Sequence, residues 1–222
     1  MKLLIKFPTR FREKKFRNTL DRYYKFLSGK HDYEFIISMN ENDPSMNNIK
    51  MKKYLLNKEN LKYFYGKFRN KVEAINGNLD NVDFDVLLLA SDDMIPIVKG
   101  YDDIIMKNMK KYFSNTDGVL HFNDGRRGKR LNTLSIMGKK FYDRFGYIYH
   151  PDYTSFYCDD EFTEVTKKMK KCRYINQVII RHSWVEYTGK DFSYMRNLKY
   201  MHLDQRVYAK RKKRGFPKSR IS

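Results

Sequence analysis

The chain has 222 residues, 41% of them hydrophobic and 16% aromatic, which is material for one substantial core and, at this length, one domain. That composition excludes a wholly disordered chain. No stretch approaches the roughly 20 apolar residues that span a bilayer, and the opening MKLLIKFPTRFREKK is too short and interrupted in its apolar run for a signal peptide.

The formal charge is +20 and sits mostly at the ends: residues 1–30 hold ten Lys/Arg against two Asp/Glu, and residues 209–222 hold seven against none. Such ends suit a polyanionic partner; a Lys-, Asn- and Tyr-rich composition drawn from an AT-rich genome is the alternative. Cys158 and Cys172 carry no metal or disulfide spacing, so a reducing compartment, the cytoplasm, is expected.

In chain order, residues 3–7 read as a short buried strand ended by Pro8. Thr9 is expected to cap the next helix, in which Phe16, Leu20, Tyr23 or Tyr24, and Leu27 recur at helical spacing. Residues 33–39 (YEFIISM) form a second strand and 40–48 a loop. Residues 58–65 are predicted helical, and 70–75 a further short helix before Gly77. The near-continuous apolar run FDVLLLA at 84–90 predicts a strand buried on both faces. Ile105, Met109 and Tyr112 mark a helix, 118–123 and 131–137 strands, Phe162, Val165 and Met169 a helix, and 178–180 a strand. From about Asp191 a helix gives way to a basic tail. The alternation predicts an α/β fold with a mostly parallel central sheet flanked by helices. One domain is expected over 1–208, with a basic C-terminal tail over 209–222.

Asp92 and Asp93 follow the buried strand directly. Open α/β sheets bind ligands at the carboxyl ends of their strands, and two adjacent carboxylates repel unless something positive joins them. A divalent cation is the usual partner, taking one or two carboxylates and completing its shell with phosphate oxygens and water. A solvated turn, or a cap on the following helix, is the competing reading.

The segment 85–94 (DVLLLASDDM) resembles the strand and Asp-x-Asp-type metal motif of GT-A glycosyltransferases, the inverting family 2 in particular, with Ser91-Asp92-Asp93 in place of a strict Asp-x-Asp. Phe7, Pro8, Thr9 and Arg10 resemble the family's loop that holds the donor base and ribose. Residues 33–39 with Glu41 and Asp43 resemble its second strand and base-contacting loop, and KVEAIN from Lys71 to Asn76 its Lys/Arg-x-x-Ala-x-Asn stretch near the nucleotide. The resemblance implies a GT-A, Rossmann-like fold and a nucleotide-diphosphate sugar as donor. It also implies Mn²⁺ or Mg²⁺ at Asp93 and Asp92, with His182 completing the site, where a lone histidine after a strand otherwise serves structure. Cys158-Asp159-Asp160-Glu161-Phe162 falls in the register of the family's Glu-Asp motif. Asp159 is then the expected catalytic base, with Asp160 and Glu161 after it; helix capping is the other use of these acids.

Asn123-Asp124-Gly125 is either an acceptor-pocket lining or an ordinary turn, and the run 126–130 either part of that pocket or a solvated loop. Trp184 is either an acceptor platform or core. His150 is a weaker candidate for the site. The implied activity is sugar transfer with inversion onto an acceptor hydroxyl. The acceptor is either a hydroxylated (hydroxymethylated) base in DNA, fitting a virus or phage source and host cytoplasm, or a surface or capsular glycan. The rivals are a non-catalytic basic nucleic-acid-binding module that stacks bases on Tyr and Phe, which leaves Asp92 and Asp93 unexplained, and a metal-dependent nuclease, whose signature clusters are not evident.

Overall fold

The computed structural model describes residues 1–183 and 192–216; Trp184 lies outside them. Strand β1 (Lys2–Thr9) lies in the interior of the sheet. It pairs in parallel with β2 (Asp32–Asn40) on one side and β4 (Val86–Leu89) on the other, and β3 (Leu61–Gly66) adds to β2, also in parallel. Beyond β4 come β7 (Ile136–Gly138), antiparallel to both its neighbours, then β6 (Val119–Phe122) and β8 (Cys172–Ile175). The order is β3-β2-β1-β4-β7-β6-β8, and β5 (Met94–Pro96) with β9 (Ile180–His182) makes a separate two-stranded sheet.

Helices cover both faces. Helix α1 (Glu13–Lys25) buries Phe16, Leu20 and Tyr23, four and three residues apart, against Leu3, Ile5 and Phe7 of β1, together with α2 (Ile49–Leu56) and α4 (Tyr101–Tyr112). The opposite face carries Leu4, Ile36 and Leu87 under α3 (Lys71–Asn76), α5 (Lys139–Asp143) and α6 (Cys158–Lys168). Burying each such large side chain stabilises the fold by roughly 1.5–3 kcal/mol. Two further helices, α7 (Phe192–Leu198) and α8 (Met201–Lys213), close the described chain. No helix among the described residues is long and apolar enough to cross a membrane.

Four elements depart from the sequence expectations. First, β1 runs through Pro8 rather than stopping before it. The carbonyls of Lys2 and Lys6 point toward β4, accepting from Asp85 and Ala90. By alternation Pro8 turns its nitrogen to the same side, beyond β4's last residue, so no ladder bond is lost. Second, the predicted helix at 58–65 is instead β3: from Leu61 to Tyr65 half-buried and exposed residues alternate strictly, the period of a strand, and the Tyr/Phe content favours it. Third, only the end of the predicted strand 131–137 pairs, because Asn132, Thr133 and Ser135 are bonded to α6, Asp124 and Tyr149 respectively. Fourth, β9 begins at Ile180 and extends to His182, two residues later than predicted, and α8 continues through the expected domain boundary at 208/209.

Candidate active site

The chain steps outward from β1 to β2 and β3, then returns to β4 on the other side of β1. That reversal opens a crevice at the carboxyl ends of β1 and β4, the place where open α/β sheets bind ligands. Thr9 to Arg12 leave β1 there, and Ser91 to Asp93 leave β4.

Asp92 ties the two segments together. It is 5% exposed; Arg12 Nη1 donates to its Oδ1 at 2.7 Å, Thr9 Oγ1 to its Oδ2 at 3.2 Å, and Thr19 Oγ1 of α1 to its carbonyl at 3.0 Å. Burial pushes the Asp92 carboxyl up to about 6 even with Arg12 beside it. With each oxygen accepting one bond, Asp92 serves as a cross-brace between strand ends. Thr9 likewise braces Asp92 and does not cap α1, whose cap residue is Arg12, without a side-chain bond.

Asp93 turns the other way. Met94 of β5 pairs with His182 of β9, which places His182 Nε2 3.7 Å from Asp93 Oδ2. Ser183 N donates to the Asp93 carbonyl at 2.7 Å, and the Ser91 hydroxyl to Asp93 Oδ1. Burial would raise the Asp93 carboxyl, but the His182 ring, the Ser91 hydroxyl and the charge of Lys71 outweigh it and hold it below the usual carboxylate range. On its far side His182 Nδ1 lies 3.9 Å from Oδ2 of Asp124, which is 1% exposed. At that distance the Asp124 carboxylate acts on the ring through its charge rather than through a hydrogen bond.

Asp93 and His182 together offer one carboxylate and one imidazole, a donor set suited to Mn²⁺. No group of three or more His, Cys, Asp or Glu side chains assembles as a metal site among the described residues. The residues therefore fit a cation that takes two protein ligands and draws the others from phosphate and water.

The expected donor loop divides into residues that face the crevice and residues that build it. Phe7 is fully buried, edge-on to Phe16 and Tyr23, so it is core rather than a donor contact, and Pro8 belongs to β1. Arg10 donates to Asn42 Oδ1 at 2.9 Å and lies over the Phe11 ring at 5.0 Å, while Arg196 of α7 approaches the same ring at 5.9 Å. Asp43, fully buried, accepts from Phe11 N at 2.6 Å and from Ser45 N and Oγ at 3.0 and 2.7 Å. It holds the β1 and β2 loops in register instead of offering its oxygens to a base. Asn76 is similarly spent: Oδ1 accepts from Ile148 N and Tyr149 N, and Nδ2 donates to Tyr149 O at 2.6 Å. Lys71 is different. Exposed in the first turn of α3, which Asn70 caps at 2.9 Å, it acts electrostatically on both Asp93 and Cys158, and so stands between the β4 tip and the start of α6.

Asp159, Asp160 and Glu161 occupy the first turn of α6. Asp159 and Asp160 are half-buried. Burial and the neighbouring Asp159 charge push Asp160 up to about 6, against the pull of Arg127. Glu161 is 4% exposed, held by Arg211 of α8 through Nε at 2.8 Å and Nη2 at 2.9 Å and by the Tyr153 hydroxyl at 2.7 Å. A carboxylate so saturated is structural, which removes Glu161 from the candidate bases. His150 lies 3.7 Å from Asp152, on the loop before α6.

Sequence reasoning missed the braces. Asp204 of α8, 1% exposed, accepts from the backbone N–H of Thr154, Ser155 and Phe156, each at 2.8 Å; nothing around it in the sequence marks that role. Arg12 and Arg211 were submerged in the charge count. Lys6, fully buried in β1, donates to Ser38 Oγ and to Gly77 O at 2.6 Å, and burial lowers it to about 7. A lysine inside an apolar strand was its visible signal.

No protein-family model matches the chain, and no curated protein matches it in sequence. Solved structures do match. The mannosyltransferase PcManGT from Pyrobaculum calidifontis, in complex with GDP-Man and Mn²⁺, superposes with a TM-score of 0.67 at 14% identity over 94% of this chain and 64% of that one. S. aureus TarS 1-349 gives 0.65 at 15% identity over 85% of this chain and 62% of that one. A mutant Drosophila β-1,4-galactosyltransferase 7 with manganese, UDP-Gal and xylobiose gives 0.54 at 13% over 85% and 73%. The chain thus spans less than two thirds of the first two of these structures. Its fold is the GT-A fold of glycosyltransferases, as the sheet order and the ligand crevice are in keeping with.

Proposed function

We propose that this chain is a metal-dependent glycosyltransferase that moves a sugar, with inversion, from a nucleotide-diphosphate donor to an acceptor hydroxyl. The observation that carries the reading is the meeting of Asp93 and His182 across β5 and β9 at the crevice mouth. Lys71 and the first turn of α6 border the same opening. The solved relatives with bound Mn²⁺ and nucleotide sugars, GDP-Man in one and UDP-Gal in another, support it.

Asp93 and His182 would hold the cation, and when bound it supplies Lewis-acid relief of the charge that grows on the leaving nucleotide diphosphate. Arg10 and Lys71 add fixed positive charge beside the same phosphates. Asp159 takes the proton of the attacking hydroxyl, with Asp160 next to it as the second candidate. The chain's excess of cations supports a hydroxylated base in DNA as acceptor, an enzyme of that kind working in the cytoplasm.

A donor-hydrolysis screen across nucleotide sugars, with and without Mn²⁺, tests the reading. Metal-dependent release of a nucleoside diphosphate from at least one donor is expected; no release from any donor would overturn it. Transfer to hydroxymethylated DNA that falls steeply with added salt is the expected acceptor result. A salt-independent transfer to a neutral glycan would replace DNA with the glycan.

A further inference from the structure

Resting on the DNA reading above, we propose that the loop 125–130 between β6 and β7 is a preformed clamp for the phosphodiester backbone of the acceptor, with Lys129 and Arg130 as its contact residues. The segment reads GRRGKR, four cations and no acid in six residues. A stretch of that composition is ordinarily a loose solvated turn. Here its backbone is fastened from three sides.

Asp124 Oδ1 accepts the N–H groups of Arg126, Arg127 and Gly128 at 2.9, 2.6 and 3.2 Å, while its Oδ2 accepts from Thr133 Oγ1 at 2.9 Å. The His121 ring bridges the carbonyls of Gly128 and Leu131 at 2.9 and 3.1 Å. Lys167 of α6 donates to the carbonyls of Lys129 and Arg130 at 3.1 and 3.4 Å. Gly125, at φ +83°, supplies the left-handed step that starts the turn. An ordered backbone lowers the entropic cost of ordering the groups that bind.

Position and charge balance indicate what the loop faces. Its end is joined to α6 where the candidate base lies: Asn132 N donates to Thr163 Oγ1 at 3.0 Å, and that hydroxyl donates to Asp159 O at 2.7 Å. Of the α6 acids, Glu161 pairs with Arg211 and Glu164 with Lys212, both from α8, while Arg127 of the loop acts on Asp160 and leaves Lys129 and Arg130 outside these pairs. Lys129 and Arg130 are exposed and pair with no acid among the described residues. A polyanion that brings a hydroxyl to Asp159 would run past them. The C-terminal cations, expected to supply this contact, are in part consumed by α6.

The test measures fluorescence anisotropy of a labelled 20-base-pair duplex DNA across a salt series, for the wild-type chain and for Lys129→Glu combined with Arg130→Glu. Both positions are exposed, so the fold is expected to stand. The double variant should bind at least tenfold more weakly at low salt, with a log–log salt slope shallower by about 2, since each lost phosphate contact removes about 0.9. Lys129→Arg with Arg130→Lys should bind like wild type. Mn²⁺-dependent hydrolysis of UDP- and GDP-sugars should be unchanged in both variants. Equal affinity and slope in the charge-reversed variant would overturn the clamp. Wild-type chain that does not bind DNA would overturn the clamp and the DNA acceptor together, while the hydrolysis arm reports separately on the transferase.

Discussion

The first half of the chain, from β1 to β5, and the second, from β6 to α8, are held together in different ways. In the first half four parallel strands, paired over eight, six and four residues, position the tips, and the crevice follows from strand order alone. In the second half the strands are three or four residues long, and individual side chains tie its loops and helices together. Asp124 holds loop 125–130, Asp204 holds 154–156 from 48 to 50 residues away, and Arg211 holds Glu161 from 50. Buried carboxylates brace loops in both halves, Asp92 and Asp43 in the first and Asp124 and Asp204 in the second, but the longest ladders lie in the first.

Breaking one residue in each half sharpens that contrast. The largest effect is expected at the β4 tip: Asp93→Asn should cut turnover by roughly 100-fold or more, about 3 kcal/mol of barrier, with the fold retained and the melting temperature somewhat lowered. Steady-state rates and a thermal melt check both. Next comes the brace from α8. Arg211→Ala leaves Glu161 buried without its cation and should cost about 3 kcal/mol in urea unfolding. Adding Glu161→Gln should recover part of that loss, because the stranded charge is gone.

Legibility in the sequence follows the same division. The apolar runs of β1, β2 and β4 and the helical spacing of Phe16, Leu20 and Tyr23 are local patterns, and they placed the crevice and the Asp92–Asp93 pair correctly. Which carboxylate turns toward His182 was not readable, because that depends on Arg12 and Thr9 reaching Asp92 from across the sheet. The same holds for Asp43 and Asn76, whose expected ligand contacts are backbone ties instead. Glu161 shared a motif with Asp159, yet its environment is decided by Arg211, in a stretch that read only as positive charge. Residues 58–65 failed for a different reason: a run of Leu, Tyr and Phe fits either period until a neighbouring strand selects one.

A smaller effect is expected at Asp124, whose carboxylate faces the His182 ring at 3.9 Å. Asp124→Asn should weaken Mn²⁺ affinity by roughly 10-fold and change the donor KM less, as separate titrations would show. The smallest is at Lys6. Its amine is lowered from 10.5 to about 7 by burial, so between those values the unfolded chain binds more protons than the folded one. Stability therefore rises with pH through that window. Melting temperatures from pH 7 to 9 should climb in the wild type relative to Lys6→Met, which lacks the titrating group.

The central claim is that Asp93 and His182 share a cation whose remaining ligands come from the donor. Electron paramagnetic resonance titration of Mn²⁺, with and without UDP or GDP, tests it most directly. The account predicts weak Mn²⁺ binding to the chain alone, strong binding once the nucleoside diphosphate is added, and loss of that gain in Asp93→Asn and His182→Ala. Undiminished nucleotide-dependent Mn²⁺ binding in both variants would contradict it.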